Sequence, residues 1–389
     1  MAAEPEPRRS ILLMAGAILA NGAAGLLYVW SLFILPIEAS LGLGRADMGM
    51  ISSLALISFT VGASVMPAFL ARIGRLGVAC LAFALIAGGH LVFGIWPSWA
   101  ALALGYGVGF GAGSGTAYAF ALSLAAALPA HVRAVAIGVA MGAFALSGIL
   151  LPVTLGGWIA SAAPGSAFVR IGIVVLVVGL LCVLAVLASG ASRRDHEAQT
   201  LAGTAPRMDR PFLVLAMIFF MLCFIGLAVI SHAAAMAASA GIPAPGYAAS
   251  ALTLGYLAGS ILGAPIAERL GERRVLMALG ALALVGTLAM FAASAAVFFA
   301  GAALVGITFG GSGSIMPVLL GLRYGAEHIS RLYGRLIIAY GLAGLVAPDI
   351  AGRLFDRAQS YAPTIGLCAV LALTAIVAPL LLERSSRGR

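Results

Sequence analysis

The chain has 389 residues, 62% of them hydrophobic and only 9% charged, and its mean hydropathy is +1.12. A water-soluble protein of this length must cover its surface with charge, so a soluble enzyme or binding domain is excluded and the bilayer is the solvent. The formal net charge of +9 comes from arginine alone, as the sequence contains no lysine, and its placement marks topology rather than a nucleic-acid partner.

In chain order, apolar runs recur at 11–36, 47–70, 76–96, 98–127, 133–160 and 166–189, and again at 211–239, 246–267, 273–293, 295–321, 331–352 and 362–382. About 20 residues rising 1.5 Å each cross the roughly 30 Å hydrocarbon core, so each run is long enough to span. The first run is read as a retained helix, because no small-residue cleavage site follows it and Pro36 and Glu38 come directly after. With the amino terminus inside, only Arg45, Arg170, Arg353 and Arg357 of the 22 arginines fall on the outer side. The positive-inside rule therefore predicts that both termini are cytoplasmic.

The longest polar stretch, from Ser189 to Arg210, holds Arg193, Arg194, Asp195, His196, Glu197, Arg207 and Asp209. It divides the chain into an expected six-helix bundle at 1–189, a cytoplasmic linker at 190–210 and a second six-helix bundle at 211–389. An internal repeat supports the division. Gly44, Gly49, Gly62, Arg72, Gly74 and His131 return 197 positions later as Gly241, Gly246, Gly259, Arg269, Gly271 and His328; Gly138, Gly148 and Pro152 match Gly334, Gly344 and Pro348 one residue out of that register. The expected fold is an all-α membrane protein of twelve transmembrane helices in two six-helix, pseudo-symmetric bundles. Two such halves rocking about a midplane site would transport a solute without altering it. The glycines at 105, 107, 109, 111, 113 and 115 permit close helix contact there. They do not make a dinucleotide loop, because no strand precedes them.

The loop after the second run reads Ala71-Arg72-Ile73-Gly74-Arg75, and the loop after the eighth reads Glu268-Arg269-Leu270-Gly271-Glu272-Arg273-Arg274. Both are similar to the G-x-x-x-D-R-x-G-R-R loop of the major facilitator superfamily, which the chain resembles over essentially its full length. A carboxylate there can take an arginine fork and latch a closed state. Ala71 replaces that acid in the first copy, while Glu268 keeps it in the second. The arginines read equally well as positive-inside anchors.

Within the superfamily the chain resembles the oxalate/formate antiporter and monocarboxylate porter group. The resemblance rests on Asn21-Gly22 with Tyr28-Val29-Trp30-Ser31 and Pro36, Arg133 to Gly138, Ser231-His232 with Ala240-Gly241-Ile242, and Tyr333-Gly334 through Tyr340-Gly341 to Pro348. It implies a secondary transporter for a small organic anion, working by proton symport or solute exchange. It departs from the group where cations pair with the anion: Ser260 and Tyr340 occupy those positions. Neutral donors must then solvate any anion, since an unpaired carboxylate at the midplane is costly. The candidates are Asn21, Tyr28, Ser114, Tyr118, His232, Thr253, Tyr256, Ser260 and Tyr340, on helices that line the cleft in this fold; each also reads as plain packing. The apolar lining and missing cations leave an exporter of lipophilic or cationic drug-like compounds as the alternative.

His232 is a candidate proton carrier, with a neutral ring satisfied by a backbone or serine partner such as Ser231 as the alternative. Asp349, Arg353 and Arg170 are expected to gate the outer side, alongside Arg72, Arg75, Glu268, Arg269 and Arg273 on the inner side. An ordinary helix-end salt bridge is the other reading of Asp349 and Arg353. The four cysteines show no metal or disulfide spacing and read as small apolar fillers. No enzyme chemistry, cofactor, metal or nucleic acid is expected. The partners are a small solute, candidate coupling protons and the lipid bilayer, with a single chain sufficient. Arginine- and alanine-rich, lysine-free usage points to a prokaryotic inner membrane.

Overall fold

The computed structural model describes residues 7–190, 208–325 and 328–382. Among them the chain is helical throughout. The helices are α1 (Pro7–Ala24) continued by a 3-10 segment (Gly25–Leu32), α2 (Ile34–Leu41), α3 (Arg45–Ile95), α4 (Trp99–Ala101) leading into a π-helical segment (Leu102–Phe110), α5 (Gly111–Ala126), α6 (Ala130–Ser161) and α7 (Pro164–Ala188). Next come α8 (Arg210–Ser239), α9 (Tyr247–Leu270), α10 (Glu272–Ala289), α11 (Ala295–Tyr324), α12 (Ile329–Ala358) and α13 (Ala362–Val377), the last closed by a 3-10 turn (Ala378–Leu381). The linker residues 191–207, including Arg193, Arg194, Asp195, His196, Glu197 and Arg207, lie outside the described residues.

Nine helices among the described residues are long and apolar enough to cross a bilayer, against twelve expected runs. The second and third runs share the 51-residue helix α3. The fourth is broken into α4, the π segment and α5, and the ninth is the 18-residue α10, whose first turn carries three charges, Glu272, Arg273 and Arg274. The 51 residues of α3 are not one rod. Gly74 interrupts them at φ 69° and ψ 178°, where only glycine sits without strain. Its partner in the repeat, Gly271, takes φ 76° and ψ 165° between α9 and α10. The two copies of the motif thus make the same backbone corner.

Two compact units emerge. Unit 1 comprises residues 1–43 and 51–200; unit 2 comprises 201–389 together with the seven residues Gly44–Met50, which open α3. In unit 1, α1 packs against α5, α6 and α7; in unit 2, α8 packs against α11, α12 and α13, and α9 lies along α11. Lipid tails are as apolar as leucine, so close van der Waals approach has to supply the packing energy. Glycine permits that approach. A Cβ on Gly62 would overlap the carbonyl oxygen of Ala112, and one on the repeat-related Gly259 would overlap that of Ile307. The glycine-rich fourth run works likewise, as Gly111 and Gly115 sit directly on the Ala55 and Phe59 carbonyls of α3.

Candidate functional site

In unit 1 the predicted polar residues fall into two sorts. Asn21 on α1 is fully buried, and its Nδ2 donates to the Ala140 carbonyl of α6 at 2.6 Å, which ties the two helices together. Among the described residues its Oδ1 has no hydrogen-bond donor, and the buried Ser114 hydroxyl likewise has no partner. Buried polar atoms left unsatisfied are costly, which sets these two apart from the bonded polar groups around them. Tyr28 and Tyr118 come together around one ring. Phe144 meets Tyr28 edge-on at 5.0 Å and Tyr118 at 5.7 Å, while Phe59 lies 5.4 Å from Tyr118.

Unit 2 repeats the arrangement with a different ring at the centre. Phe309 on α11 lies 5.2 Å from Tyr256 of α9 and stacks nearly parallel to Tyr340 of α12 at 6.4 Å. Tyr256 and Tyr340, predicted separately, therefore share an aromatic wall. Each such pair contributes about 0.5–1.5 kcal/mol beyond its buried area. The fully buried Thr253 hydroxyl donates to the Ala249 carbonyl one turn back at 2.8 Å. Ser260 is half-buried beside Gly310.

His232 is fully buried and is held at both nitrogens. Nε2 lies 3.0 Å from the Pro348 carbonyl of α12, which can only accept, so Nε2 carries the proton. Nδ1 then accepts from the Tyr361 hydroxyl at 3.0 Å. The same hydroxyl oxygen accepts from the Arg45 guanidinium at 2.6 Å. Of the two kinds of partner expected from the sequence, a backbone carbonyl and a serine such as Ser231, the ring takes the backbone carbonyl of Pro348, with Tyr361 at its other nitrogen. The chain of donors runs Arg45 to Tyr361 to His232 to Pro348, with every step filled by a neutral histidine.

Arg45 belongs to the Gly44–Met50 segment and is almost wholly buried. Its guanidinium lies 4.2 Å over the Phe355 ring and 5.5 Å from that of Tyr361. Asp356 caps the start of α3, accepting from the backbone N–H of Arg45 at 2.9 Å and of Ala46 at 2.8 Å. An anion is favoured at a helix N-terminus, where amides are unpaired and the dipole is positive. Two glycines make the contact tight: a Cβ on Gly49 would overlap the Pro348 carbonyl, and one on Gly352 would overlap that of Arg45. Sequence reasoning missed Arg45, Asp356 and Tyr361. The available signal was an arginine on the arginine-poor side of the chain, beside Gly49 of the repeat.

The predicted gating residues separate. Arg353 donates to Asp349 at 2.7 Å, four residues apart on exposed helix surface; this is the helix-end pair. Arg170 instead stacks on Trp158 within unit 1, at 5.4 Å. Glu268 and Arg269 are exposed and make no ion pair among the described residues. The acid that does engage an arginine is Glu272, four residues on, which takes Arg323 bidentately at 3.0 and 2.5 Å. Arg273 caps the carbonyls of Pro379, Leu380 and Leu382 at the end of the last helix. Arg72 is exposed, and Arg75 is buried.

These features describe a multi-pass, all-helical membrane protein with polar groups held inside its spans. The family model of the Major Facilitator Superfamily matches residues 213–389. Monocarboxylate transporter 14 of Mus musculus is 36% identical over 75 residues, covering 19% of this chain and 14% of that protein. An uncharacterized MFS-type transporter of Escherichia coli, YhjX, is 26% identical over 147 residues, covering 36% and 37% of the two chains. The chain thus spans well under two thirds of these relatives. Its fold is similar, at TM-score 0.69 and 16% identity over 97% of this chain and 95% of the other, to the crystal structure of a bacterial homolog of the human lysosomal transporter Spinster, inward-facing and unoccupied.

Proposed function

We propose that this protein is a secondary active transporter, with twelve crossings in two six-helix bundles joined by a cytoplasmic linker. It exposes a solute site alternately to the two faces of an inner membrane. The family-model match over residues 213–389, with the similar fold, favours transport over enzymatic chemistry. The observation that carries the solute class is the pair of tyrosine-bearing aromatic walls, Tyr28 and Tyr118 about Phe144 and Tyr256 and Tyr340 about Phe309. They offer phenolic donors and apolar surface but no fixed cation, which suits a small monocarboxylate carried with a proton or exchanged for another solute. The similarity to a monocarboxylate transporter over 75 residues points the same way. Asn21 and Ser114 supply further neutral groups in unit 1.

His232 is the proposed proton site. Protonated, it would donate at both nitrogens, leaving the Tyr361 oxygen facing two donors and its own hydrogen without its present acceptor. Protonation therefore acts on the Arg45–Tyr361 contact, and Asp349, Arg353 and the loop arginines are proposed to gate around it.

The test is uptake of labelled monocarboxylates into proteoliposomes under an imposed pH gradient. Saturable uptake, with KM raised about tenfold by Tyr118→Phe or Tyr340→Phe, is expected where a buried donor to a carboxylate is lost. A His232→Gln variant should lose the pH dependence while still exchanging solute. The aromatic walls also suit a lipophilic cation through cation–π contact. Proton-driven efflux of such cations with no monocarboxylate uptake would replace the anion reading.

A further inference from the structure

Unit 1 contains a feature that solute transport leaves unused. Helices α6 and α7 are joined by a turn of two residues, yet among the described residues they scarcely touch, and each packs on α1 instead. Between them lies a crevice of about 740 Å³, floored by Leu19, Gly22 and Leu26 and walled by Leu150, Trp158 and Val174. That volume falls in the range of small-molecule sites, roughly 300–1,000 Å³. Leu146 and Leu150 on one wall and Val174 on the other are exposed, so the crevice opens sideways onto whatever surrounds the helices.

One charge lines it. Arg170 stands six residues into α7, about 9 Å from the helix start at 1.5 Å per residue. Its guanidinium rests against the Trp158 ring, and no carboxylate pairs with it among the described residues. Nearly everything else lining the crevice is apolar, and the Ser147 hydroxyl is already spent on the Gly22 carbonyl at 2.6 Å. A cation at one end and an apolar lining below it match an anionic head above an acyl chain.

We propose that this crevice is a binding site for one anionic phospholipid of the surrounding bilayer, its phosphate on Arg170 and an acyl chain along α1 between α6 and α7. The phosphate neutralises an arginine that would otherwise face hydrocarbon. The chain fills space that two diverging helices leave empty. A phospholipid is the occupant proposed because anionic phospholipids are the abundant anions of a bilayer onto which the crevice opens.

The experiment is native mass spectrometry of the full chain released from nanodiscs of equal palmitoyl-oleoyl phosphatidylglycerol and phosphatidylcholine, with oleate added in a parallel arm. One phosphatidylglycerol retained with about a fivefold preference is expected, as one arginine near the surface supplies. Arg170→Gln should bring the two lipids to parity, Arg170→Lys should keep the preference, and Val174→Trp should reduce retention of both lipids by filling the trough. Equal retention by the unmodified protein, a preference that survives Arg170→Gln, or retention of oleate in place of phosphatidylglycerol would each overturn the proposal.

Discussion

The space between α1, α6 and α7 in unit 1 and its repeat-related counterpart between α8, α12 and α13 in unit 2 are filled in opposite ways. In unit 1 the wedge is open, apolar and marked by a lone arginine stacked on tryptophan. In unit 2 it is closed by a continuous run of hydrogen bonds through Arg45, Tyr361, His232 and Pro348, with Asp356 capping the helix that brings Arg45 in. A duplicated scaffold supplies the same helix triplet twice, and a handful of side chains decide whether it becomes a greasy groove or a polar junction. The junction is sensitive to small changes because its polar groups are buried and mutually satisfied, whereas the groove tolerates them because nothing in it depends on one partner.

The strongest way to break this contrast is to exchange the packing at the two floors. Gly352→Ala puts a methyl group into the Arg45 carbonyl and should destabilise by about 1–3 kcal/mol. Gly22→Ala, whose nearest obstacle is the Ser147 hydroxyl at 3.9 Å, should fall within about 0.5 kcal/mol. Reversible unfolding in mixed micelles reads both, and equal costs would remove the distinction. Next in size is Tyr361→Phe, which leaves an Arg45 N–H and His232 Nδ1 unsatisfied and should cost about 2 kcal/mol. A double-mutant cycle with His232→Phe should return a coupling of at least about 1 kcal/mol, and strict additivity would show that the two do not act as a unit.

Smaller still is Asp356→Asn. Loss of the charged cap should cost about 1 kcal/mol and speed hydrogen exchange at the Arg45 and Ala46 amides; unchanged exchange would mean the cap holds nothing in place. The smallest effect is expected in unit 1, where Arg170→Gln should leave the unfolding transition in place, since the side chain is exposed. A large loss of stability there would mean that the arginine is a structural strut.

Much of the architecture was legible in the residues. The apolar runs locate the helices, and the repeat predicts that Gly74 and Gly271 stand in equivalent places; both adopt the same left-handed corner. Gly62 and Gly259 likewise recur as close-approach points. The number of separate spanning helices was less legible, because a glycine corner does not interrupt an apolar run and the short α10 carries three charges at its start. Among the site candidates, Tyr28 with Tyr118 and Tyr256 with Tyr340 meet around phenylalanines that no motif singled out. The acid expected to hold an arginine after the eighth run, Glu268, stays exposed while Glu272 takes Arg323. The Gly271 corner decides between them, because Glu268 lies at the end of α9 and Glu272 opens α10, and a motif does not specify which side of the corner meets Arg323.

Composition and spacing alone settled that the chain is dissolved in lipid, because a sequence with so little charge cannot be hydrated over its surface. They also placed its corners, because only glycine is comfortable there. Which polar groups meet was decided in three dimensions. Arg45 and Tyr361 are 316 positions apart, and no periodicity encodes a contact between them. It exists because α3 begins against α12, where two glycines let the backbones close and a buried guanidinium must find every partner within reach.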